Sequence, residues 1–312
     1  MKHRILQTVP LSPTLDAALD KAFAVHPLWK EGEPAAFLRE QGASFAGLAT
    51  SAPAGASREI IAALPNLRVI ASRGVGVDKI DLESASQRGI QVGNTPDVLT
   101  DCVADLAFGL LIDVAREMSA ADRFVRTGRW QQEKYRLTSR VSGKRLGIVG
   151  LGQIGRAVAK RAGGFAMEVG YMNRRPVANV TYRYEPSLEA LARWADFLVV
   201  AVAGGPGTRH LISSAVLEAL GPKGFLINVA RGTVVDETAL INALASGTIA
   251  GAGLDVFEDE PNVPQALIDL ENVVLLPHLA SGTVETRTAM EDLVLANLEA
   301  FFATGKVLTP AC

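Results

Sequence analysis

Short apolar runs rich in valine and isoleucine alternate along the chain with longer segments of helical periodicity. In the second half, four such runs indicate buried strands, at residues 145–149, 197–202, 224–229 and 273–276. Because they are almost continuously hydrophobic, they predict a parallel sheet covered by helices on both faces. Helices are predicted between them, at residues 156–161, 189–195 and 237–245. The pattern indicates a doubly wound α/β fold.

The first hundred residues show weaker signals of the same kind, with predicted strands at residues 5–9, 45–49 and 68–71. From Asp101 to about Thr127, the spacing of apolar residues predicts one long helix, and a final helix is expected from Val284 to Ala303. We therefore expect two Rossmann-like doubly wound domains. Residues 99–282 form one, and it is inserted in a smaller domain of residues 1–98 and 283–312.

Composition narrows the function classes. The chain has 312 residues, 48% of them hydrophobic and 21% charged, as expected of a globular protein. With 31 basic and 33 acidic residues, it offers no electrostatic basis for binding nucleic acid or an anionic membrane. No apolar stretch is long enough to span a bilayer. Cys102 and Cys312 have no metal-ligand spacing, so we expect no metal site and a cytoplasmic location.

A glycine-rich turn follows the predicted strand at 145–149. Gly150, Gly152 and Gly155 match the pattern G-x-G-x-x-G, with Gln153 and Ile154 before the last glycine. The strand before and the helix after it are the context that gives this pattern meaning. The first glycine permits a tight turn, the second admits a pyrophosphate, and the third lets helix and strand pack closely. We predict a dinucleotide site; the alternative is a purely structural turn.

The residues about twenty positions further on bear on which dinucleotide binds. An NAD enzyme places an acidic residue there for the ribose hydroxyls, whereas this chain has Asn173, Arg174 and Arg175. Guanidinium groups bind a 2′-phosphate with paired, charge-assisted hydrogen bonds. We therefore predict NADP(H). The alternative is that one or both arginines only cover the strand end in solvent.

Three polar residues stand just past apolar segments in the second half, namely Arg231, Glu260 and His278. The carboxyl ends of strands are where ligands bind in open α/β sheets. Each residue alone has an ordinary explanation as a surface charge, an acidic loop residue or a loop histidine. Glu258 and Asp259 also compete with Glu260 for the role of the acid that orients the histidine.

Taken together, these residues resemble the D-isomer-specific 2-hydroxyacid dehydrogenases. Within that family, the likeness is greatest to the glyoxylate/hydroxypyruvate reductases and the hydroxyphenylpyruvate reductases. The resemblance spans essentially the whole chain. The matching stretches are residues 74–81, 94–100, 228–232, 253–261 and 276–282.

The resemblance implies roles for individual residues. His278 gives a proton to the oxygen of the reacting carbonyl, Glu260 orients His278, and Arg231 binds the carbonyl oxygen and the substrate carboxylate. Backbone N–H groups of Val75 and Gly76 also hold that carboxylate. Asp255 is expected to hydrogen-bond the nicotinamide carboxamide. The remaining residues expected along the cofactor are Thr100, Thr208, Ala230, His278 and Gly282.

These expectations define a function. We expect NADPH-dependent reduction of small 2-oxo acids, such as glyoxylate and hydroxypyruvate, in a cleft between the cofactor domain and the smaller substrate domain. One alternative is a reductase of hydroxyphenylpyruvate or phenylpyruvate, and another is a regulator that senses dinucleotides without catalysis. The family also implies a homodimer. Whether Trp130 and Arg73 contact substrate stays open from the sequence.

Overall fold

A computed structural model of the protein describes residues 2–311, which divide into two units. One unit is formed by residues 2–99 together with residues 284–311, and the other by residues 100–283. Each unit is built on its own parallel sheet, so the predicted α/β class is confirmed. No helix among the described residues is both long enough and apolar enough to cross a membrane.

The first unit contains a five-stranded parallel sheet in the order β2-β1-β3-β4-β5. Ile5, Leu48 and Ile70, from its three central strands, are fully buried, which explains the weak but real apolar pattern of the sequence. The elements are β1 (Arg4–Gln7), α1 (Pro13–Ala22), β2 (Ala24–Pro27), α2 (Pro34–Gln41), β3 (Gly47–Ser51), α3 (Arg58–Ala63), β4 (Val69–Arg73), α4 (Leu82–Gln87) and β5 (Gln91–Gly93).

The second unit contains a seven-stranded parallel sheet in the order β12-β11-β10-β9-β6-β7-β8. The chain changes direction across the sheet between β6 and β9, where open α/β sheets bind ligands. The elements are α5 (Thr100–Arg116), α6 (Met118–Arg126), β6 (Arg145–Val149), α7 (Gln153–Ala162), β7 (Glu168–Met172), β8 (Arg183–Tyr184), α8 (Leu188–Trp194), β9 (Phe197–Val200), α9 (Ser214–Leu220), β10 (Phe225–Asn228), α10 (Glu237–Ala245), β11 (Gly251–Leu254), α11 (Gln265–Ile268) and β12 (Val273–Leu275).

The final helix, α12 (Val284–Thr304), belongs to the first unit. Val294, Leu298 and Phe301 lie on one face of this helix and pack with apolar residues of β4 and α1. Burial of this face stabilises the helix in its place, because apolar surface removed from water contributes roughly 25 cal/mol per Å².

The single long helix predicted from Asp101 to Thr127 is wrong. The structure has two helices, α5 and α6, separated at Glu117, whose φ of 52° is left-handed. The Glu117 carboxylate accepts hydrogen bonds from the Tyr135 hydroxyl at 2.8 Å and from the Arg136 guanidinium at 2.7 Å. These contacts with a segment 18 or 19 residues further along the chain offset the energetic cost of the left-handed backbone at Glu117. The periodicity of apolar residues contains no information about such contacts, so it does not predict the break.

Strand β11 has a sequence that favours no strand, since it contains Gly251 and Gly253. A Cβ at Gly253 would lie 3.0 Å from the Cβ of Leu110, and one at Gly251 would lie 2.9 Å from a methyl carbon of Val114. Both neighbours belong to α5, so the glycines allow this helix to pack directly on the sheet. Close packing against α5, rather than the β-propensity of its residues, therefore accounts for this strand.

Candidate active site

A histidine and a glutamate form a hydrogen-bonded pair near the ends of β11 and β12. His278 Nδ1 lies 2.7 Å from Glu260 Oε2. The other carboxylate oxygen of Glu260 accepts a hydrogen bond from the backbone N–H of Phe257 at 3.0 Å. Because Nδ1 is engaged by the acid, Nε2 is the ring atom left to exchange a proton with a ligand.

The ionisation of Glu260 is set by opposing effects. Burial raises its pKa, but hydrogen bonds from His278 and the Phe257 amide lower it, as do the charges of His278 and Arg231. The net result is a pKa below the ordinary value. The carboxylate form of Glu260 is thus favoured.

The structure separates the three neighbouring acids that the sequence leaves equivalent. Glu260 contacts His278, whereas Glu258 pairs with Arg209 at 2.8 Å and with His210 at 3.0 Å. Asp259 accepts a hydrogen bond from the Asn262 side chain at 3.2 Å. Of these three acids, only Glu260 therefore has the geometry to orient His278.

Asp255 supports the turn on which His278 lies. Its two carboxylate oxygens accept hydrogen bonds from the backbone N–H groups of Leu279 at 2.8 Å and Ala280 at 2.9 Å. Its side chain is buried, and this burial raises its pKa, while the two amides act in the opposite direction. The contact that the structure gives Asp255 is structural, and its predicted contact with a nicotinamide carboxamide stays a prediction.

Arg231 follows β10, in a turn fixed by the buried side chain of Asn228. The Asn228 carboxamide accepts from the Ala230 N–H at 3.1 Å and donates to the Arg231 carbonyl at 3.0 Å. The next residue, Gly232, lies so close to the chain after β11 that an added Cβ would be 1.8 Å from the Phe257 carbonyl carbon. The turn bearing Arg231 is thus seated directly against the loop bearing Glu260.

Sequence reasoning assigned no role to Asn228 or Gly232. An asparagine at the end of an otherwise apolar strand was an available signal, because a buried polar side chain there needs hydrogen-bond partners. The close approach at Gly232 depends on two segments that are distant in sequence, so it had no local signal.

The glycine-rich turn has the features that a pyrophosphate site requires. Gly150 has a φ of 96°, and a Cβ at Gly155 would lie 2.1 Å from the Gly150 carbonyl oxygen. By contrast, a Cβ at Gly152 would meet nothing within 4 Å, and the α7 N-terminus has no side-chain cap. Gln153 and Ile154 form the first turn of that helix. Its exposed N–H groups and dipole favour a bound phosphate.

The three residues after β7 differ in their contacts within the protein. Asn173 accepts a hydrogen bond from the Leu151 N–H at 2.7 Å, so it holds the glycine turn to the end of the strand. Arg174 and Arg175 are exposed and make no hydrogen bond or ion pair with residues 2–311. Their charges are therefore available to a 2′-phosphate, and the residues present fit NADP(H).

The other predicted cofactor residues lie in the second unit. Thr208 donates its hydroxyl hydrogen bond to the Ala203 carbonyl at 2.8 Å, and Thr100 begins α5. Ala230 is buried beside Arg231, while the Gly282 N–H donates to the Leu279 carbonyl at 2.7 Å. These contacts place the residues but do not test cofactor binding.

A second glycine segment, residues 74–77, follows β4 in the first unit and is called the glycine loop below. Gly74 has a φ of 136°, and its N–H donates to the Thr95 hydroxyl at 3.0 Å. The Asn94 side chain donates to the Val75 carbonyl at 2.9 Å. The N–H groups of Val75 and Gly76 donate to no residue of the described chain, so they are open to an anion.

The two open residues of the sequence analysis have different surroundings. Trp130 is 66% exposed. Arg73 is largely buried and paired with Glu291 at 3.3 Å, so it is not a solvent-facing charge.

A glycine turn at a helix N-terminus and an acid–histidine pair, both in a unit built on a parallel sheet, define a dinucleotide-dependent oxidoreductase. The family model described as D-isomer specific 2-hydroxyacid dehydrogenase, NAD binding domain, matches residues 108–280. The chain belongs to this family.

Similar proteins cover nearly all of the chain. A glyoxylate/hydroxypyruvate reductase A of Arabidopsis thaliana is 48% identical over 98% of both chains. A hydroxyphenylpyruvate reductase of Plectranthus scutellarioides is 49% identical, again over 98% of both. An NADPH-dependent glyoxylate/hydroxypyruvate reductase from Sinorhizobium meliloti, solved with NADP and malonate, has 43% identity and a TM-score of 0.91, covering 99% of this chain and 97% of that one.

The lowered pKa of Glu260 predicts a pH-dependent contribution to stability. A carboxyl with a lower pKa in the folded state stabilises the fold above its unfolded pKa, and this contribution is lost as pH falls through the folded value. We therefore expect Glu260→Gln to lower the free energy of unfolding at pH 7, by an amount that shrinks below about pH 4.5. Urea unfolding of both proteins from pH 7 to pH 4 measures this. A difference that is constant over that range would contradict the assignment; Asp259→Asn, on the same loop without contact to His278, is the control.

Proposed function

We propose that this protein reduces small 2-oxo acids to D-2-hydroxy acids with NADPH, with glyoxylate and hydroxypyruvate as substrates. The observation that supports this most is the 2.7 Å contact between His278 and Glu260, because a dinucleotide sensor has no need of an oriented proton donor. The names of the similar proteins support the substrate class.

In the proposed reduction, different side chains of the protein have separate roles. NADPH, when bound, supplies a hydride to the carbonyl carbon. His278 gives the proton on Nε2 to the carbonyl oxygen as negative charge develops there, and Glu260 stabilises the imidazolium before transfer. Arg231 binds the substrate carboxylate and polarises the carbonyl with its charge.

The glycine loop is proposed to supply the second contact to the carboxylate. The N–H groups of Val75 and Gly76 are unengaged within residues 2–311, and glycine leaves room for a ligand to approach the backbone. We further propose that residues 1–98 and 283–312 form a substrate domain and that residues 99–282 form the cofactor domain.

The substrate class is tested by NADPH oxidation with glyoxylate, hydroxypyruvate and hydroxyphenylpyruvate, compared as kcat/KM. We expect the two small acids to be preferred, whereas a preference for the aryl acid would indicate the alternative reductase.

His278→Gln should lower kcat by roughly three orders of magnitude, since it removes the proton donor. The Kd for NADPH should stay within about twofold, because the glycine turn is unchanged. Turnover that survives this substitution would show that the acid is misassigned.

NADP(H) preference is tested by removing the two guanidinium groups after β7. We expect Arg174→Ala/Arg175→Ala to raise the KM for NADPH on the order of tenfold to a hundredfold, because charge-assisted pairs to the 2′-phosphate are lost. The KM for NADH should hardly change. Arg193→Ala, an exposed arginine of α8, is the control. A wild-type protein that prefers NADH would overturn the preference.

We also propose that the protein is a cytoplasmic homodimer. Met118, Val125, Trp130 and Leu137 are between 53% and 100% exposed, and all lie in the segment from α6 to residue 137. Exposed apolar groups of this density favour association with another surface. The family resemblance makes a second copy the expected partner.

The homodimer predicts a specific response to one charge. Leu137→Glu should shift the protein from dimer to monomer in sedimentation velocity, because a carboxylate cannot be buried there without a partner. Leu308→Glu, at an exposed leucine of the other unit, should leave the dimer intact. A wild-type protein that sediments as a monomer at micromolar concentration would refute the proposal.

A further inference from the structure

A buried ion pair lies at the end of β4, directly before the glycine loop. Arg73 Nη1 lies 3.3 Å from Glu291 Oε1, and both side chains are largely buried, with 16% and 11% of their surface exposed. The same Nη1 donates to the Leu11 carbonyl at 2.9 Å. The other carboxylate oxygen of Glu291 accepts from the Ser12 hydroxyl at 2.6 Å. Arg73 is thus fixed to both α12 and the start of α1.

The pair occupies the polar end of an otherwise apolar interface. Val69 and Ala71 of β4 pack with Val294 and Leu298 of α12. Side chains alternate along a strand, so Arg73 continues the face of Val69 and Ala71. Apolar contacts are non-directional, whereas the guanidinium bonds fix an orientation. The orientation of Arg73, the last residue of β4, is therefore fixed by hydrogen bonds in addition to the apolar packing of its neighbours.

The hydrogen bonding around Arg73 leaves buried polar atoms without a partner in the described chain, which does not favour stability. Within residues 2–311, the buried side-chain atoms that lack a hydrogen-bond partner are Ser72 Oγ and Arg73 Nε. Such unsatisfied groups oppose folding, and a buried ion pair adds little to stability compared with apolar residues of similar size. Both orphaned atoms lie within two residues of Gly74. A role in orientation accounts for the pair better than a role in stability.

The glycine loop is held from two sides. Asn94 and Thr95, after β5, bind it at Val75 and Gly74. On the preceding side, the Arg73 carbonyl accepts from the Ala52 N–H at 3.0 Å while its guanidinium is fixed by Glu291 and Leu11. Together these contacts determine where the N–H groups of Val75 and Gly76 point.

We propose that Arg73, held by Glu291 and Ser12, is a positioning residue that orients the glycine loop for the carboxylate of the substrate. The proposal deepens the proposed function and rests on it. Arg73 itself acts through the backbone, since its charge is already engaged by Glu291.

The test replaces both charges together, because removing one would leave the other buried without a partner. In Arg73→Met/Glu291→Leu, exchange of the Gly74 amide, which donates to the Thr95 hydroxyl, should accelerate on the order of tenfold. The KM for glyoxylate should rise on the order of tenfold with a smaller change in kcat, as for a binding group that is displaced but still present. The Kd for NADPH should not change. A purely structural role predicts an unchanged KM and unchanged exchange, and that result would overturn the proposal.

Two further variants sharpen the result. Arg88→Met removes another guanidinium of the same unit, one that donates to the carbonyls of Ile61, Leu64 and Pro65. It should leave exchange in the glycine loop unchanged. Ser12→Ala removes only the hydroxyl that holds Glu291, and it should shift exchange and KM in the same direction by less. It provides the test if the double variant does not fold.

The exchange measurement also separates this proposal from the proposed function. A wild-type protein that reduces no 2-oxo acid would refute the function. Exchange in the glycine loop would still decide whether Arg73 positions it, since that measurement requires no substrate.

Discussion

The candidate active site depends on the way Asp255 binds the turn after β12. Its carboxylate accepts the N–H groups of Leu279 and Ala280, and the His278 N–H donates to the Asp255 carbonyl at 2.9 Å. His278 is thereby kept in a left-handed conformation, with a φ of 50°. This strained backbone brings its ring to Glu260, which lies in the loop after β11. Backbone strain of this kind persists only where the surroundings enforce it, and it is common at functional sites.

A second constraint is the parallel arrangement of the strands. Because β10, β11 and β12 are neighbours and parallel, the residues that follow them emerge at one edge of the sheet. Arg231, Glu260 and His278 follow these three strands in that order. The contact of Gly232 with Phe257 then fixes the spacing between the first two loops. The placement of Arg231, Glu260 and His278 at one edge of the sheet therefore follows from the strand topology. The close spacing of the first two loops depends on Gly232, a position where no side chain fits.

Much of this could be predicted from sequence, and the omissions have physical causes. The strand at 145–149, the helix at 237–245 and the α/β class follow from hydrophobic patterning and are present in the structure. The break at Glu117 depends on Tyr135 and Arg136, and strand β11 depends on packing against α5, so neither has a local signal. Glu260, the acid that contacts His278, could not be distinguished from its neighbours at 258 and 259 because all three are acidic and adjacent. Only the family resemblance suggested the assignment that the geometry now supports.

The central claim is that the His278–Glu260 pair donates the proton in the reduction of a 2-oxo acid. Its most direct test is the product formed from hydroxypyruvate and NADPH by the wild-type protein, analysed on a chiral column. The account predicts one D-glycerate for each NADPH consumed, and almost none with His278→Gln. D-glycerate formation that continues at the wild-type rate in His278→Gln, or no consumption of NADPH by the wild-type protein, would contradict it.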